Sequence, residues 1–342
     1  MSDAVGRDAA YVLPLRRHTV VDEELAELAG YLRALAAELP VVVADGSPPD
    51  VRARHTVAWG AWVRVVDVPA VPPGCNGKVV GVVSGLAATS SPRVVVADDD
   101  VRYDHASLTA VLAALDHADL VVPQNVFDPL PWHARWDTAR SLLNRAVVGH
   151  DYAGTVALRR AALRDAGYDD HELFENLELE RTVAARGGVV AHRPDLVVVR
   201  RPPDARRFVE QRVRQAYDSL AQPSRLVVEL ALAPLLAAAA LASARPGAAR
   251  RCGAVVLVGL LGGAVLLAEA GRRRAGGAAH FPSTAALWAP AWVLERAVCA
   301  WAALAWWALG GVPYAGTRLR RAAHSVRELR RETSPTTTEV AP

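Results

Sequence analysis

The pattern of apolar and polar positions divides the chain into two parts of different architecture. Over roughly the first 200 residues, short β-rich apolar runs alternate with segments whose apolar residues recur at helical spacing. The predicted strands are residues 11–14, 41–44, 62–68, 94–97 and 120–122, and the predicted helices are residues 22–37, 77–88 and 107–117. This alternation predicts an α/β fold with a mixed, mostly parallel sheet flanked by helices on both faces.

The second part of the chain consists of long apolar segments. Residues 226–244 contain a single charged side chain and residues 253–268 contain none, so both approach the ~20 apolar residues that cross a membrane. Residues 285–311 form a third apolar segment, which Glu295 and Arg296 interrupt. Buried core helices of a soluble protein are the alternative explanation for these segments.

These patterns predict three regions. Residues 1–225 form the α/β domain, residues 226–312 form a membrane segment with two to four hydrophobic helices, and residues 313–342 form a tail. Within that tail, residues 317–331 are Arg-rich with apolar residues at helical spacing, which predicts an amphipathic helix on an anionic leaflet. We expect the end of the tail, from residue 334, to be disordered.

The expected location is the cell membrane, as a multi-pass protein with a cytoplasmic α/β domain. Three spanning helices would leave the Arg-rich tail outside, which opposes the positive-inside tendency. A re-entrant or interfacial third segment, with a break near Pro290, removes this conflict, and we therefore expect a cytoplasmic tail.

Composition narrows the class of protein. The formal net charge of +3 is the sum of a net charge of −4 over residues 1–225 and a net charge of +7 over residues 226–342. The second part is thus both the more apolar and the more basic one. The hydrophobic share of 52% excludes a disordered chain. Three widely separated cysteines predict neither a disulfide framework nor a metal knuckle. The sequence contains no pattern of interleaved basic and aromatic residues of the kind that indicates a nucleic-acid partner.

Three consecutive aspartates follow the predicted strand at residues 94–97. Ligands of parallel sheets gather at the carboxyl ends of strands, where Asp98, Asp99 and Asp100 are expected to lie. Carboxylate oxygens are the ligands that a hard divalent cation prefers, and such a cation can neutralise a departing diphosphate. A solvated acidic turn or a helix cap is the alternative.

Seven short motifs occur in order along residues 10–225. They contain, in order, Pro14 and Arg16 after the first strand, Asp45 after the second, Gly77 and Lys78 at a helix start, Asp98 to Asp100, the stretch 154–160, the run 175–182 with Glu175, Asn176 and Glu178, and finally Gln211 with Arg214. This series resembles the family 2 glycosyltransferases with a GT-A fold, of the membrane-attached type that includes ceramide glucosyltransferase-like enzymes. The trailing hydrophobic segments fit the same resemblance.

The resemblance implies an inverting transfer from a nucleotide-diphosphate sugar, with Mg²⁺ or Mn²⁺ as cofactor. Under it, Asp45 contacts the nucleotide base, Asp98 and Asp100 bind the metal, and Lys78 or Arg214 stabilises the leaving diphosphate. The further donor-binding positions it implies are Pro14, Arg16, Asp98, Asp99 and Gln211. Trp132 lies in an aromatic and basic stretch that suits a sugar or lipid headgroup, with helix packing as the alternative.

The chain departs from the family pattern at two positions. Asn176 replaces the aspartate that the family uses as general base, and an amide cannot accept a proton from the acceptor hydroxyl. Glu175 and Glu178 are the nearby candidates, since residues three apart share a helix face. Gln215 replaces a tryptophan, which indicates a more polar acceptor site.

The sequence therefore predicts a membrane-bound inverting glycosyltransferase that acts on a lipid-linked, polyprenol-linked or cell-envelope acceptor hydroxyl. One alternative is a catalytically degenerate, glycosyltransferase-like membrane scaffold, which Asn176 favours. A sugar-phosphate nucleotidyltransferase is a second alternative, although it gives no reason for the membrane segments. A processive polymer synthase is a third, and the small number of hydrophobic helices argues against it.

Overall fold

The computed structural model describes residues 8–163, 167–314 and 316–333. Its strands are β1 Ala9–Leu15, β2 Val41–Asp45, β3 Arg64–Asp67, β4 Arg93–Ala97, β5 Val101–Arg102, β6 Leu120–Phe127, β7 Thr155–Arg159, β8 Val190–Arg200, β9 Val312–Tyr314 and β10 Thr317–Leu319. Its α-helices are α1 Asp22–Ala36, α2 Pro49–Trp59, α3 Gly77–Ala87, α4 His105–Ala114, α5 Trp132–Val147, α6 Glu175–Ala185, α7 Ala205–Glu210, α8 Arg212–Tyr217, α9 Pro223–Ser243, α10 Ala248–Arg273, α11 Ala289–Ala308 and α12 Val326–Thr333.

Eight strands form one mixed sheet in the order β3-β2-β1-β4-β7-β6-β8-β5. Strands β3, β2, β1 and β4 pair in parallel, as do β6 and β8. Strand β7 is antiparallel to both of its neighbours, and β5 is antiparallel to β8. The expected mixed, mostly parallel sheet flanked by helices is confirmed.

The central strands are apolar on both faces because helices cover both sides of the sheet. Tyr11 and Leu13 of β1 point into one core with α1, and Val12 points into the other with α3. This double burial explains why these strands are continuous apolar runs rather than alternating ones.

Helix α2 is absent from the sequence prediction. Its buried positions, Val51, His55 and Trp59, recur every four residues. Because the middle position is a polar histidine, the apolar periodicity that predicts a helix is interrupted. Its start is marked by Pro49, whose fixed φ suits the first helical position. The helix covers β2 and places His55 against the end of that strand.

The parallel register brings three strand ends to one edge of the sheet. Leu15, the last residue of β1, lies opposite Asp45, the last residue of β2. Strand β4 runs in parallel beside β1 and ends at Ala97, directly before the aspartate run. The loops after β1, β2 and β4 therefore share this carboxyl edge.

Two helical stretches, Pro223–Ser243 and Ala248–Ala279, are long and apolar enough to cross a membrane. Only 17% of the most apolar window of each is buried, whereas a core helix of a soluble protein would be mostly buried. Large side chains such as Val255, Val258 and Leu266 are exposed along α10. The pair forms a helical hairpin with an apolar outer surface.

The third apolar segment differs from these two helices. Helix α11 has a buried face with Trp292 and Arg296 and an exposed face with Leu294 and Val298. Near its start, Trp136 of α5 donates to Glu295, and after its end the chain returns to the α/β domain in strand β9. Helix α11 packs against α5 and α8 of the α/β domain and also against α9 and α10 of the hairpin, and the tail after it contacts the α/β domain.

The predicted single helix over residues 317–331 is wrong. Strands β9 and β10 form an antiparallel hairpin, and only the short helix α12 follows. Gly316 turns the hairpin at a positive φ of 84°, which a helix does not allow. Helix α12 packs on α6 of the α/β domain. The predicted disordered end, from residue 334, lies outside the described residues.

Candidate active site

A cluster of alternating charges lies at the carboxyl edge of the sheet. The Lys78 Nζ atom is 2.5 Å from Asp98 Oδ1 and 2.5 Å from Glu175 Oε1. Arg200, the last residue of β8, is 3.2 Å from Asp98 Oδ2 and 3.0 Å from both carboxylate oxygens of Asp100. The structure thus brings Lys78, Asp98, Asp100 and Glu175 together, as the sequence predicted, and adds Arg200.

Lys78 is held in place by the first turn of α3. Asn76 caps that helix, because its Oδ1 accepts a hydrogen bond of 3.0 Å from the Lys78 backbone N–H. The Asn76 amide also donates to the carbonyl oxygens of Glu172 and Leu173, directly before α6. One buried cap therefore fixes the starts of α3 and α6, which carry Lys78 and Glu175.

The aspartate run is fixed by backbone hydrogen bonds on both sides. The Asp98 N–H donates to the Gly154 carbonyl, and the Asp100 carbonyl accepts from the Arg201 N–H. A Cβ on Gly154 would lie 2.9 Å from the Arg200 guanidinium and from Asp98 Oδ2. Glycine at position 154 therefore leaves the space that the Arg200 guanidinium occupies.

The close charges shift the pKa values of the cluster. Burial acts to lower the pKa of Lys78, but Asp98 and Glu175 outweigh it and raise that pKa well above its usual range. Burial acts to raise the pKa of Asp98, yet Lys78 and Arg200 bring it below the ordinary value. Burial, with Asp98 and Asp99 nearby, raises the pKa of Asp100 despite Arg200.

The donor set fits a divalent cation. Asp98 and Asp100 direct their carboxylates at one point, which the Arg200 cation now occupies. Oxygen donors of this kind suit Mg²⁺ or Mn²⁺. Among the described residues, the groups of three potential ligands within 4.8 Å do not include these aspartates. An ion held here therefore depends on Asp98 and Asp100 and on the movement of Arg200.

Asp99 and Asp45 have structural partners. Arg17 donates to Asp99 at 3.0 Å and links the loop after β1 to the aspartate run. Asp45 is fully buried, with one oxygen 2.7 Å from His55 Nδ1 and the other accepting from the Ser47 N–H. Burial acts to raise the pKa of Asp45, but these hydrogen bonds lower it. In this conformation the Asp45 carboxylate is closed to a nucleotide base.

The three candidate catalytic residues of α6 point to different partners. Glu175 contacts Lys78, whereas the Asn176 amide donates to the Ala153 carbonyl at 3.0 Å. Glu178 was expected beside Glu175, with a surface charge as the alternative. Its carboxylate is instead fully buried, and both oxygens contact His324 of the tail. Glu178 is therefore not accessible to an acceptor hydroxyl.

A second charged group lies on the segment from α8 to α9. Arg214 and Asp218 lie four residues apart along this segment and interact electrostatically with each other. Asp218 also interacts with Glu175, and Arg214 also interacts with Tyr314. Burial raises the pKa of Asp218 to about 7, which Arg214 only partly opposes. Gln211 is half-buried at the junction of α7 and α8. Asp218 is thus a carboxylate that can exchange a proton near neutral pH.

The remaining predicted positions lie at the rim of the site. Pro14 is half-buried at the end of β1, and Arg16 is exposed beyond it, near the start of α3. Trp132 is 46% exposed at the start of α5 and packs edge-on against Phe208, with ring centroids 5.5 Å apart. Its ring belongs to an aromatic group that also includes Trp136 and continues to Trp288 beside α11.

Sequence reasoning missed Arg200, Asp218 and Asn76. Arg200 ends a β-rich run of valines, and its position at a strand end was a usable signal. Asp218 lies one helical turn after Arg214 in a region matched to the family, so its spacing was also visible. Asn76 gave no signal, because its role depends on contacts with a loop almost 100 residues away.

Comparisons with known proteins find weak structural similarity. No protein-family model and no curated protein matches the sequence. A mannosyltransferase from Pyrobaculum calidifontis in complex with GDP-Man and Mn²⁺ has a TM-score of 0.48 and 16% identity, over 85% of this chain and 86% of that one. Glucosyl-3-phosphoglycerate synthase from Mycobacterium tuberculosis, in complex with Mn²⁺, UDP and phosphoglyceric acid, has a TM-score of 0.42 and 23% identity, over 66% and 81%.

Both similar structures are sugar-transferring enzymes by name, and both are described as complexes with Mn²⁺. Their TM-scores lie below 0.5 and their identities below 25%, so no residue role is transferred from them to this chain.

Proposed function

We propose that this chain is a membrane-attached inverting glycosyltransferase of family 2 type. It transfers a sugar from a nucleotide-diphosphate donor to the hydroxyl of a lipid-linked or cell-envelope acceptor. The observation that carries the proposal is the convergence of Asp98, Asp100, Lys78 and Glu175 at the carboxyl edge of the sheet. This arrangement combines carboxylates for a cation with a cation for a diphosphate.

The donor side of the site uses the loops after β1, β2 and β4. Asp98 and Asp100 hold Mg²⁺ or Mn²⁺, which supplies positive charge for the departing diphosphate. Lys78 already bridges two carboxylates and lies where a β-phosphate oxygen can compete for its ammonium. Asp45 positions the loop through Ser47 rather than presenting its own carboxylate.

The acceptor side requires a group that removes the hydroxyl proton. Asn176 cannot do so, and Glu178 is closed by His324. Glu175 and Asp218 are the available carboxylates at this side, and Asp218 has a pKa of about 7, which suits a general base. We therefore propose that Asp218 accepts the proton of the acceptor hydroxyl and that Glu175 positions Lys78.

The membrane part supports a lipid acceptor. The exposed apolar hairpin of α9 and α10 packs against α5, which begins at the half-exposed Trp132. An acceptor lipid held beside this hairpin reaches the site past Trp132 and Arg214. The α/β domain and the tail then lie on one side of the membrane, which we propose to be the cytoplasmic side.

Isothermal titration of the detergent-solubilised full chain with UDP and GDP, with and without Mn²⁺, tests the proposal. We expect Mn²⁺-dependent binding of one nucleotide that Asp100→Asn weakens at least tenfold. The matched control is Asp195→Asn, because Asp195 is an exposed aspartate paired only with Arg193. Absence of binding to either nucleotide overturns the transferase assignment and favours the membrane scaffold.

A further inference from the structure

A second group of potential metal ligands lies around α6 and the loop that precedes it. Asp169 and Glu172 come from the loop before α6 and His324 from the tail, and Glu178 of α6 contacts His324. Donor atoms of Asp169, Glu172 and His324 all lie within 4.8 Å of one another. Glu172, Glu178 and His324 are at most 4% exposed.

The distances within this group match a coordination shell. His324 Nδ1 is 3.0 Å from Glu178 Oε1 and 3.3 Å from Glu172 Oε1. Donor atoms bound at about 2.0–2.1 Å to a tetrahedral ion lie about 3.3 Å apart. The imidazole nitrogen therefore faces two carboxylate oxygens at the separation that a shared ion produces.

The hydrogen bonds of the described residues satisfy Glu178 but not Glu172. A single Nδ1–H can donate well to only one of the two facing carboxylates. The other Glu172 oxygen, Oε2, is buried without any hydrogen-bond partner among the described residues. A buried carboxylate oxygen without a partner costs free energy that a bound cation removes.

The charges are also unbalanced. Arg321 approaches Glu172 at 3.7 Å but is 55% exposed. Arg181 lies close by, yet it donates to the carbonyl oxygens of His324 and Ala221 instead of to a carboxylate.

We propose that Asp169, Glu172, Glu178 and His324 form a binding site for a divalent transition-metal ion, with Zn²⁺ as the best fit. One imidazole nitrogen with carboxylate oxygens suits Zn²⁺ better than Mg²⁺ or Ca²⁺, which prefer all-oxygen sites. The site is separate from Asp98 and Asp100 and does not depend on the proposed transferase activity.

The site joins three parts of the chain. Its ligands precede α6, lie within α6 and belong to the tail after β10. The backbones of Glu172 and Arg321 form an isolated parallel β-bridge. The N–H groups of Leu173 and Phe174 donate to the carbonyl oxygens of Arg321 and Ala322 in the tail. The bound ion therefore fastens the tail to the helix that begins with Glu175.

Metal binding is tested on the full chain in detergent after removal of bound ions. Co²⁺ is the probe, because tetrahedral Co²⁺ with a nitrogen ligand absorbs visible light, and Zn²⁺ is then added as competitor. We expect an absorbing ion in the wild type and in Asp100→Asn. His324→Gln and Glu172→Gln, which keep the side-chain shape, are expected to lower the affinity at least tenfold.

The control is His171→Gln. His171 is 66% exposed and contacts Asp169, and it belongs to a neighbouring group of potential ligands with Cys75 and Asp170. An unchanged Co²⁺ signal in this variant, which we expect, shows that the neighbouring group does not hold the ion. Hydrogen exchange of residues 317–333 gives a second measurement, and Zn²⁺ is expected to slow it in the wild type but not in His324→Gln. Equal Co²⁺ affinity in all variants, loss in His171→Gln alone, or no binding by the wild type overturns the proposal.

Discussion

At the scale of single residues, Asn176 decides how the site must work. Its amide donates to the Ala153 carbonyl, and an aspartate in the same conformation would direct a carboxylate oxygen at that carbonyl. Asparagine therefore suits the local geometry and tightens the contact between α6 and the segment before β7. If the chain is the proposed transferase and uses a general base, that base is another carboxylate, and we propose Asp218, whose pKa burial raises to about 7.

Replacing Asp218 with asparagine tests this role. Burial raises the pKa of Asp218 to about 7 in the folded protein, whereas in the unfolded chain this carboxyl releases its proton near its ordinary pKa of 3.8. The unfolding free energy of the wild type therefore falls as pH rises from about 4 to 7, because the buried carboxyl must ionise. Above pH 7 this loss of stability is complete. At pH 8 we expect Asp218→Asn to be about 1–3 kcal/mol more stable and at least 100-fold slower in nucleoside diphosphate release.

The measurements are thermal unfolding and initial rates at pH 5 and pH 8. The stability gain should shrink toward pH 5, because the wild-type carboxyl is then protonated. A variant that keeps wild-type rates shows that Asp218 is not the base.

We expect the Arg200 guanidinium to neutralise the carboxylates of Asp98 and Asp100 when no metal ion is bound. Removing one partner from a largely buried ion pair leaves charge uncompensated, so Arg200→Met should lose about 2–4 kcal/mol of unfolding free energy in EDTA. Mn²⁺ should recover more stability in the variant than in the wild type, since Asp98 and Asp100 are free to bind it.

Thermal unfolding in EDTA and in Mn²⁺ measures both effects. Arg193→Met on the same strand is the control, because Arg193 pairs with the exposed Asp195 and should change stability by less than about 0.5 kcal/mol. Equal gains from Mn²⁺ in both variants contradict the competition between Arg200 and the ion.

At the scale of elements, helix α10 approaches α5 more closely than a side chain allows. A Cβ on Gly271 would lie 1.9 Å from the Leu142 carbonyl oxygen. This contact fastens the end of the apolar hairpin to the α/β domain, in a core that includes Ala139 and Ala268. Small residues at this crossing let the two backbones come together.

Gly271→Ala should therefore separate the two helices. The clash is with backbone atoms and cannot be relieved by a rotamer change, so we expect a loss of about 2–4 kcal/mol and faster proteolysis between α10 and α11. Gly262→Ala on the same helix has no neighbour within 4 Å and should be neutral or slightly stabilising. Equal behaviour of the two variants would show that the crossing is looser than described.

At the scale of the whole molecule, the α/β domain, α11 and the tail lie together, and the α9–α10 hairpin presents an exposed apolar surface. The cytoplasmic location of the tail stays a prediction, and it applies equally to the α/β domain, because α12 of the tail packs on α6. If the α9–α10 hairpin spans a membrane as proposed, we expect its turn to reach the opposite surface.

The natural cysteines provide a test of this topology. Cys252 is exposed in the first turn of α10, whereas Cys75 is buried and Cys299 is half-buried. A membrane-impermeant maleimide should label Cys252 in intact cells, and Cys252→Ser should abolish the labelling. A cysteine added after Pro342 should react only after lysis. The reverse pattern places the α/β domain outside the cell.

The alternation of apolar runs and amphipathic segments by itself determined the α/β class, most of the central strands and the apolar helices. The aspartate run was recognisable because it directly follows a predicted strand, whereas Lys78 and Glu175 were identified through the resemblance to the family 2 glycosyltransferase motifs. These features depend on periodicity and on residues close together in the chain.

Tertiary structure alone decided the partners of those residues. Arg200 meets Asp98 and Asp100 because β8 ends beside the aspartate run, 100 residues later in the chain. Glu178 meets His324 because α11 returns the tail to α6, and no local pattern contains that return. Side-chain roles that depend on such distant contacts follow from packing, since a charge is satisfied by whichever group the fold brings to it.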